Sequence, residues 1–376
     1  MAGTDNGDFG CWRDGNRFEL LVDGGVFLPA MLDAIGQARQ RILLELYLME
    51  SGRTADRFIE ALTTAARRGV AVHLLLDDFG SHGLRTADRQ RLVDAGVELC
   101  FYNPIRPGKR RRNLFRDHRK LLLIDNHTAF TGGFGITDEF NPETSPAPWR
   151  ETAVRIEGEV LHDWQQVFLR NHARWSQRPL ALLPATPRGD MRGRVAESVS
   201  LQRSAIRRHL RRSIRRARRR VWIATAYFIP SRRLRRALAH AARRGLDVRL
   251  LLPGPLTDHP AVRHAGRRFY TRLLRAGVRI HEYQPRFTHQ KVALCDDWVV
   301  IGSSNLDRWN LRWNLEASQE ILDAGFASQV ADMFEHDLAE SREILLERWL
   351  ARPAHERFAE WFFGSLDLLS ERWLGR

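Results

Sequence analysis

Short apolar runs and amphipathic segments alternate along most of the chain. ILLELY (42–47) and VWIATAY (221–227) have the length and composition of buried strands. RFIEALTTAARRG (57–69) and RRLRRALAHAARRG (232–245) place Ala and Leu at i, i+3 and i+4, the spacing of a helix with one apolar face. The alternation predicts an α/β fold with a mixed, mostly buried β-sheet flanked by helices.

The same order of segments occurs twice. The two strand-like runs end at Tyr47 and Tyr227, and each following helix ends in AARRG, at Gly69 and Gly245. The offset is about 180 residues here and 171 further on, because one loop is longer in the first copy. An internal repeat of this length predicts two duplicated domains, 1–180 and 195–376, packed as a pseudo-dimer. The Pro-, Gly- and Arg-rich stretch 178–194 is the predicted linker between them.

Charge adds a polyanionic partner to this picture. The 376 residues carry a net charge of +15 with a pI near 10.9, which favours nucleic acid or an anionic membrane surface. The alternative is arginine spread over an ordinary solvated surface. Three cysteines form no disulfide framework, so a reducing compartment is expected. The N-terminus has no signal-peptide pattern, and no apolar run reaches the ~18 residues of a spanning helix, so any membrane contact is expected to be peripheral.

Two His-x-Lys tripeptides stand in register in the two copies, HRK at 118–120 and HQK at 289–291. Each is followed, five residues after the Lys, by an acidic residue, Asp125 or Asp296, and then by a small-residue turn. The chain has three lysines against 57 arginines, yet keeps Lys at both positions. Lys is a compact point charge and Arg a planar fork, so the pattern indicates two places where only the compact cation fits.

Strand geometry brings each His and Lys to the same face, because residues i and i+2 of a strand point the same way. Two such halves about a pseudo-twofold axis predict one pocket containing His118, Lys120, His289 and Lys291. That set suits a phosphodiester: the lysines stabilise the phosphoryl oxygens, one imidazole attacks phosphorus and the other protonates the leaving alkoxide. Paired cysteines and HExxH or DxDxDG motifs do not occur, so neither a metal nor another cofactor is expected.

HxKxxxxD followed by a GG or GSxN turn, present twice, resembles the phospholipase D superfamily. Longer strings, HRKLLLIDNHTAFTGGFGITDE (118–139), HQKVALCDDWVVIGSSNLD (289–307) and WNLEA (313–317), resemble more narrowly the bacterial cardiolipin synthases of the shorter type without transmembrane helices. The resemblance covers nearly all of the chain. It implies a pseudo-dimeric fold, one active site at the interface and a covalent phosphatidyl-histidine intermediate.

The resemblance also implies roles for single residues. His118 would be the nucleophile and His289 the general acid and base, although symmetry makes the reverse order credible. Lys120 and Lys291 would bind phosphate, and Ser303 and Asn305 of the second turn would hydrogen-bond its oxygens.

Four acidic residues complete the expected site. Glu151 and Glu316 stand where the family places an acidic partner for the histidine, with an exposed charge as the alternative. Asp125 and Asp296 are expected to make structural hydrogen bonds.

Two departures from the family pattern stand out. Gly135 replaces the usual Asn of the first turn, and the second motif is one residue shorter between its Asp and its glycine, so that Asp297 is an alternative to Asp296.

Two segments are candidates for lipid contact. Stretch 203–220 has an apolar stripe, expected to pack on the sheet, and an Arg-covered face available to lipid headgroups. Segment 357–376 mixes aromatics with Arg, which suits a helix in the membrane interface or one docked on its own core.

The resulting hypothesis is a phosphatidyltransferase that joins two phosphatidylglycerols into cardiolipin and glycerol. A hydrolytic phospholipase D and a metal-independent phosphodiesterase or nuclease are the alternatives, and a non-enzymatic basic protein is disfavoured by the intact motifs. The expected partners are anionic phospholipids, phosphatidylglycerol with phosphatidylethanolamine as an alternative, rather than nucleic acid. The expected location is the bacterial cytoplasm, peripheral on the cytoplasmic face of the inner membrane. The sequence does not indicate an oligomeric state.

Overall fold

A computed structural model describes residues 10–176, 178–199, 204–306 and 313–353. The C-terminal segment 357–376, the subject of the interface-helix hypothesis, lies outside the described residues.

The first half alternates strands and helices in the predicted order. Its helical segments include two 3-10 turns, η1 and η2. The elements are β1 (Arg13–Val22), α1 (Gly24–Gln37), β2 (Arg41–Leu46), α2 (Arg53–Arg67), β3 (Ala71–Asp77), α3 (Thr86–Asp94), β4 (Glu98–Tyr102), η1 (Pro107–Leu114), β5 (Arg116–Asp117), β6 (Lys120–Ile124), β7 (Thr128–Gly132), η2 (Asp138–Phe140), β8 (Thr152–Gly158) and α4 (Leu161–His172).

The second half repeats this order and adds a short strand and helix at its end. The elements are β9 (Met191–Ser198), α5 (Ala205–Arg216), β10 (Arg220–Thr225), α6 (Arg232–Arg243), β11 (Asp247–Pro253), α7 (Pro260–Arg267), α8 (Tyr270–Leu274), β12 (Arg279–Tyr283), β13 (Lys291–Cys295), β14 (Trp298–Gly302), β15 (Asn314–Leu322), α9 (Ala324–Ala339), β16 (Ser341–Glu343) and α10 (Leu346–Leu350).

The strands of both halves form one continuous mixed sheet of 16 strands, in the order β16-β12-β11-β10-β13-β14-β15-β9-β1-β8-β7-β6-β2-β3-β4, with β5 on β15. Within each half, parallel βαβ units lie outside and antiparallel hairpins lie toward the middle. β9 pairs with β15 of its own half and with β1 of the first, so it connects the strands of the two halves into this one sheet. The last part of the predicted linker, 191–194, is therefore strand.

Buried apolar side chains between the sheet and its helices form three cores. The central core packs α4, through Trp164 and Phe168, and α9, through Phe326 and Phe334, against strands of both halves. A second core lies under α1, α2 and α3 of the first half, and a third under α5, α6 and α8 of the second. Burial of large side chains from both halves in the central core fixes the halves against each other. The predicted α/β fold with two duplicated, helix-flanked units is confirmed.

Helix α5 separates its apolar and basic positions as its periodicity predicts. Ile206, Leu210 and Ile214 are buried in or beside the third core, while the arginines between them lie on the remaining surface. Ser204 caps the helix by accepting a hydrogen bond from the backbone N–H of Arg207. Among the described helices, none combines the length and apolar character needed to cross a membrane.

Candidate active site at the junction of the two halves

Each His-x-Lys motif lies at the entrance to a buried hairpin, β6–β7 or β13–β14, and its backbone is bonded to the other half. The N–H of His118 donates to the carbonyl of Leu315 at 3.0 Å. The N–H of His289 donates to the carbonyl of Arg150 at 2.8 Å. These reciprocal bonds place the two motifs side by side about the pseudo-twofold axis.

Carboxylates pair with the histidines across the junction. Nδ1 of His118 lies 3.0 Å from Oε1 of Glu316 in the second half, and Nδ1 of His289 lies 2.7 Å from Oε2 of Glu151 in the first. Both glutamates are fully buried, and the histidines are 9% and 8% exposed. A carboxylate on Nδ1 orients the ring and leaves Nε2 of each imidazole for chemistry.

The two lysines are buried beside the histidines, as the i, i+2 spacing predicts. Nζ of Lys120 donates to the carbonyl of His118 at 2.7 Å, and Nζ of Lys291 donates to the carbonyl of His289 and lies 3.0 Å from its Nδ1. Lys291 also lies 3.7 Å from Glu151. Both ammonium groups are thus buried and bonded within the motif, a setting that suits the compact cation of lysine.

Burial governs the protonation states of the site. Burial holds the pKa of both histidines well below its ordinary value, and the charges of Lys120 and Lys291 lower it further. Burial also lowers the pKa of Lys120 to about 7. It raises the pKa of Glu151 to about 7 and that of Glu316 to about 8, although the lysines oppose the rise. Without an anion bound, the pocket therefore favours neutral imidazoles, and an arriving phosphodiester supplies the negative charge that favours their protonation.

The second turn, residues 302–305, contacts Glu316 rather than lining the pocket. The hydroxyl of Ser303 donates to Oε2 of Glu316 and accepts from the N–H of Ala317 at 3.1 Å. Asn305 is fully buried, and neither its amide oxygen nor its amide nitrogen has a hydrogen-bond partner among the described residues. Of the two side chains expected to contact phosphate, Ser303 thus already has a carboxylate partner and Asn305 has unused capacity.

Close approach explains the glycines of the first turn. A Cβ on Gly133 would lie 2.2 Å from Oε2 of Glu151, so any side chain there would displace the carboxylate. Gly135, which replaces the Asn of the family pattern, lies at the pocket wall, where a Cβ would be 3.1 Å from the carbonyl of Leu48. The first half therefore has backbone where the second has an amide side chain.

Asp125 and Asp296 lie away from the pocket, at matching hairpin turns. The carboxylate of Asp125 accepts from the N–H groups of 39, 40 and 41, and that of Asp296 accepts from those of 218, 219 and 220, all at 2.8 to 3.0 Å. Asp297 instead pairs with Arg219, so the register does not slip. The Asp of each motif therefore holds the loop that precedes β2 or β10 by hydrogen bonds. It has no contact with the histidines.

Aromatic side chains that the sequence analysis did not assign to the site form much of its wall. The ring centroids of Tyr47 and His118 are 4.8 Å apart. Nζ of Lys120 lies over the ring of Tyr47, 5.3 Å from its centroid. Tyr227 and Trp149 lie 6.5 and 5.1 Å from the ring of His289. In the sequence, the two tyrosines only mark corresponding positions of the repeat. Their positions in the sequence could have indicated a place in the site, because each tyrosine follows a strand that pairs with a His-x-Lys strand.

A second group of titratable side chains lies at the sheet edge in the first half. Nδ1 of His73 is 2.8 Å from Glu98, and Nε2 of His172 is 3.4 Å from the same carboxylate. Their ligand atoms lie within 4.8 Å of one another, a set able to hold a metal ion. Ser176 also donates to Glu98, so the cluster forms a hydrogen-bonded group as it stands.

Comparison with known proteins agrees with this geometry. The profile of the family described as "Cardiolipin synthase, PLD-like domain" matches residues 31–170 and 210–338. The chain therefore belongs to this family of phospholipase D-superfamily enzymes, as the motifs predict.

Relatives and solved structures give the extent of the similarity. The chain is 38% identical over 332 residues to a cardiolipin synthase B of Salmonella typhi, covering 85% of this chain and 80% of that protein. It is 38% identical over 341 residues to a cardiolipin synthase A of Pseudomonas putida, covering 88% and 70%. The crystal structure of a phosphatidylserine synthase from Haemophilus influenzae shares the fold, with a TM-score of 0.68, 13% identity and 87% of each chain covered.

Proposed function

We propose that the chain is a phosphatidyltransferase that makes cardiolipin and glycerol from two phosphatidylglycerols through a phosphohistidine intermediate. The observation that carries the proposal is the pair of crossed His–Glu contacts, with a buried lysine beside each, in a chain of the cardiolipin synthase family. Two imidazoles on one phosphate allow the reaction to be divided into two displacements.

In the first step, Nε2 of His118 attacks phosphorus of the donor lipid. The bond from phosphorus to the glycerol oxygen breaks, and protonated His289 gives its proton to that oxygen. The lysines stabilise the charge that develops on the nonbridging oxygens. In the second step, His289 takes the proton of an acceptor hydroxyl, whose oxygen attacks phosphorus and releases His118. Glu316 and Glu151 stabilise the imidazolium formed on either side.

Lipid analysis distinguishes this function from its alternatives. Purified protein incubated with phosphatidylglycerol vesicles and a chelator is expected to form cardiolipin, detected by mass spectrometry. Phosphatidic acid without cardiolipin would assign the chain to hydrolysis. Degradation of single-stranded DNA with intact lipids would assign it to the nucleases.

Two histidine variants test the assignment of roles. His118→Ala is expected to abolish turnover and leave no covalent adduct, whereas His289→Ala is expected to accumulate a phosphatidyl adduct. His336→Ala, on the exposed face of α9, is the matched control and should behave as wild type. Accumulation of the adduct in His118→Ala instead would reverse the order of the two histidines.

We further propose that the enzyme binds anionic lipid at the cytoplasmic face of the bacterial membrane through the groove between α5 and α6. The chain has 16 arginines and no acidic residue between Glu197 and Asp247. The groove has a volume of about 780 Å³ and is lined by arginines including Arg212 and Arg236, and no carboxylate occurs among the described residues of its lining. Burial lowers the pKa of Arg207, and the positive charges of Arg211 and Arg233 lower it further. Anionic headgroups would relieve that repulsion.

Vesicle binding tests this surface. The double variant Arg212→Gln/Arg236→Gln is expected to bind phosphatidylglycerol vesicles about 30-fold more weakly, since each basic residue near an anionic surface contributes ~1 kcal/mol. The matched control Arg57→Gln/Arg91→Gln removes two exposed arginines of the first half that pair with acidic residues. Equal binding of both double variants, or binding indifferent to salt, would contradict the proposed surface.

A further inference from the structure

One carboxylate lies in the wall of the phosphate pocket itself. The pocket has a volume of about 290 Å³, and its lining includes both histidines of the motifs, Lys120 and, from the loop after β11, Asp258 and His259. Among the described lining residues Asp258 is the only acidic one, because Glu151 and Glu316 lie behind the imidazoles. An acidic side chain is unfavourable for binding a phosphate, so its place in the wall requires a different contact with the substrate.

Neighbouring side chains hold Asp258 in position. The hydroxyl of Tyr227 donates to Oδ2 of Asp258, and Nε2 of His259 lies 3.7 Å from the same oxygen. The rings of Tyr227 and His259 are 5.5 Å apart. Among the described residues, the one side-chain hydrogen-bond contact of Oδ1 is with Thr257 at 3.5 Å, too long to be a strong hydrogen bond. The Asp258 side chain is 21% exposed, so a ligand in the pocket can reach it.

Asp258 and His259 belong to the His289 side of the pocket. Burial lowers the pKa of Lys291, and the carboxylates of Glu151, Glu316 and Asp258 oppose that shift. Burial lowers the pKa of His289, the two lysines lower it further, and His118 and His259 add smaller contributions in the same direction. Tyr227 lies beside His289, whereas Tyr47 lies beside His118. The loop after β3, the counterpart in the first half, contributes no residue to the lining, so this feature distinguishes the two halves.

The His289 side is where the exchanged alcohol must lie. With His118 as nucleophile, the leaving glycerol takes its proton from His289, and the acceptor hydroxyl returns one to His289. The two alcohols therefore occupy the same volume in turn. A glycerol headgroup carries a second hydroxyl next to the reacting one, and that hydroxyl needs a hydrogen-bond acceptor.

We propose that Asp258, held by Tyr227, determines acceptor specificity by accepting a hydrogen bond from the hydroxyl adjacent to the attacking one. The inference rests on the proposed transferase function. In the transfer step the attacking oxygen bonds phosphorus, its proton goes to His289, and the bond from phosphorus to His118 breaks. The adjacent hydroxyl keeps its proton and remains bonded to Asp258. Acceptors with vicinal hydroxyls are thereby selected over monohydric alcohols.

Competition between two alcohols for one intermediate tests this assignment. Full-length enzyme with phosphatidylglycerol vesicles is given deuterated glycerol and 1-propanol together, and labelled phosphatidylglycerol and phosphatidylpropanol are measured by mass spectrometry. Both alcohols react with the same phosphatidyl-enzyme, so their product ratio is independent of the donor step. Wild type is expected to favour glycerol. Asp258→Asn is expected to reduce that preference about 10- to 150-fold, the range for loss of a hydrogen bond to a charged group.

Two further variants separate recognition from disruption of the loop. Asp258→Glu retains the carboxylate and is expected to recover part of the preference for glycerol. Tyr227→Phe removes the hydroxyl that holds Asp258 and is expected to reduce the preference less than Asp258→Asn does. An unchanged product ratio in Asp258→Asn, with transfer still occurring, would overturn the role of Asp258 and leave the transferase intact. Wild type that transfers to neither alcohol nor lipid would instead overturn the proposed function.

Discussion

Replacing Glu316 by Gln tests whether the crossed His–Glu contacts are needed for chemistry. Gln keeps the size of the side chain and removes its charge. Both oxygens of Glu316 lie near Nδ1 of His118, at 3.0 and 3.2 Å, and the carboxylate is fully buried. A hydrogen bond to a charged group contributes ~1.5–3 kcal/mol, so loss of that stabilisation in the transition state corresponds to a rate about 10- to 150-fold lower.

Stability measurements separate this effect from damage to the fold. Burial raises the pKa of Glu316 from its ordinary value to about 8, so folding favours its protonated form. Its contribution to stability is fully present below the pKa of the unfolded chain, ~4.3, and is lost as pH rises through 8. Gln resembles the protonated acid. The variant should therefore unfold at nearly the wild-type temperature at pH 4 and become relatively more stable as pH rises to 9.

The assay is single-turnover formation of the phosphatidyl adduct with saturating lipid, followed at pH 9, where both carboxylates are charged, for Glu316→Gln and Glu151→Gln. If His118 is the nucleophile, Glu316→Gln slows adduct formation more, and Glu151→Gln slows its transfer to the acceptor more. A Glu316→Gln enzyme within threefold of wild type in both steps would refute the reasoning that the carboxylate stabilises the imidazolium.

Three other substitutions or conditions have defined outcomes. Asp296→Ala leaves three backbone N–H groups without their acceptor, so urea denaturation should show a free energy of unfolding lower by about 1–3 kcal/mol, with kcat retained. Asp125→Ala should give the same result. A large loss of kcat in either variant would contradict the structural role. Gly133→Ala places a methyl group against Glu151, so transfer activity should fall sharply while circular dichroism shows a folded chain; normal activity would contradict the close approach. Because burial lowers the pKa of Lys120 to about 7, its charge is lost above that pH in the empty pocket, and KM for phosphatidylglycerol should rise between pH 7 and 9 rather than stay constant.

The repeat made the duplicated fold and the His-x-Lys residues predictable from sequence. Both depend on local pattern: strand length, helical spacing and a motif in register. The partners of the histidines were not predictable from spacing, because Glu316 is 198 residues from His118 and Glu151 is 138 residues from His289. Family resemblance indicated the glutamates, but only the folded chain shows that each pairs with the histidine of the other half.

Local sequence also left the surroundings of the motif unresolved. Ser303 was expected to contact phosphate, yet folding directs its hydroxyl to Glu316, a choice made by the pairing of β14 with β15. The stretch 191–194 resembled linker because it is rich in Arg and Gly, but β15 and β1 offer it hydrogen-bonding edges on both sides. In both cases contacts distant in sequence outweighed composition.

The contacts of His118 with residues of the second half have a consequence for the chain while it is being synthesised. Until the second half is made, His118 has neither the carboxylate on its Nδ1 nor the carbonyl that holds its N–H, since Glu316 and Leu315 both come from the second half. A nascent or truncated first half thus presents His118 without its carboxylate partner. The surroundings of His118 are therefore assembled only once β15 has been synthesised and has paired with β5, so a truncated first half is expected to be inactive.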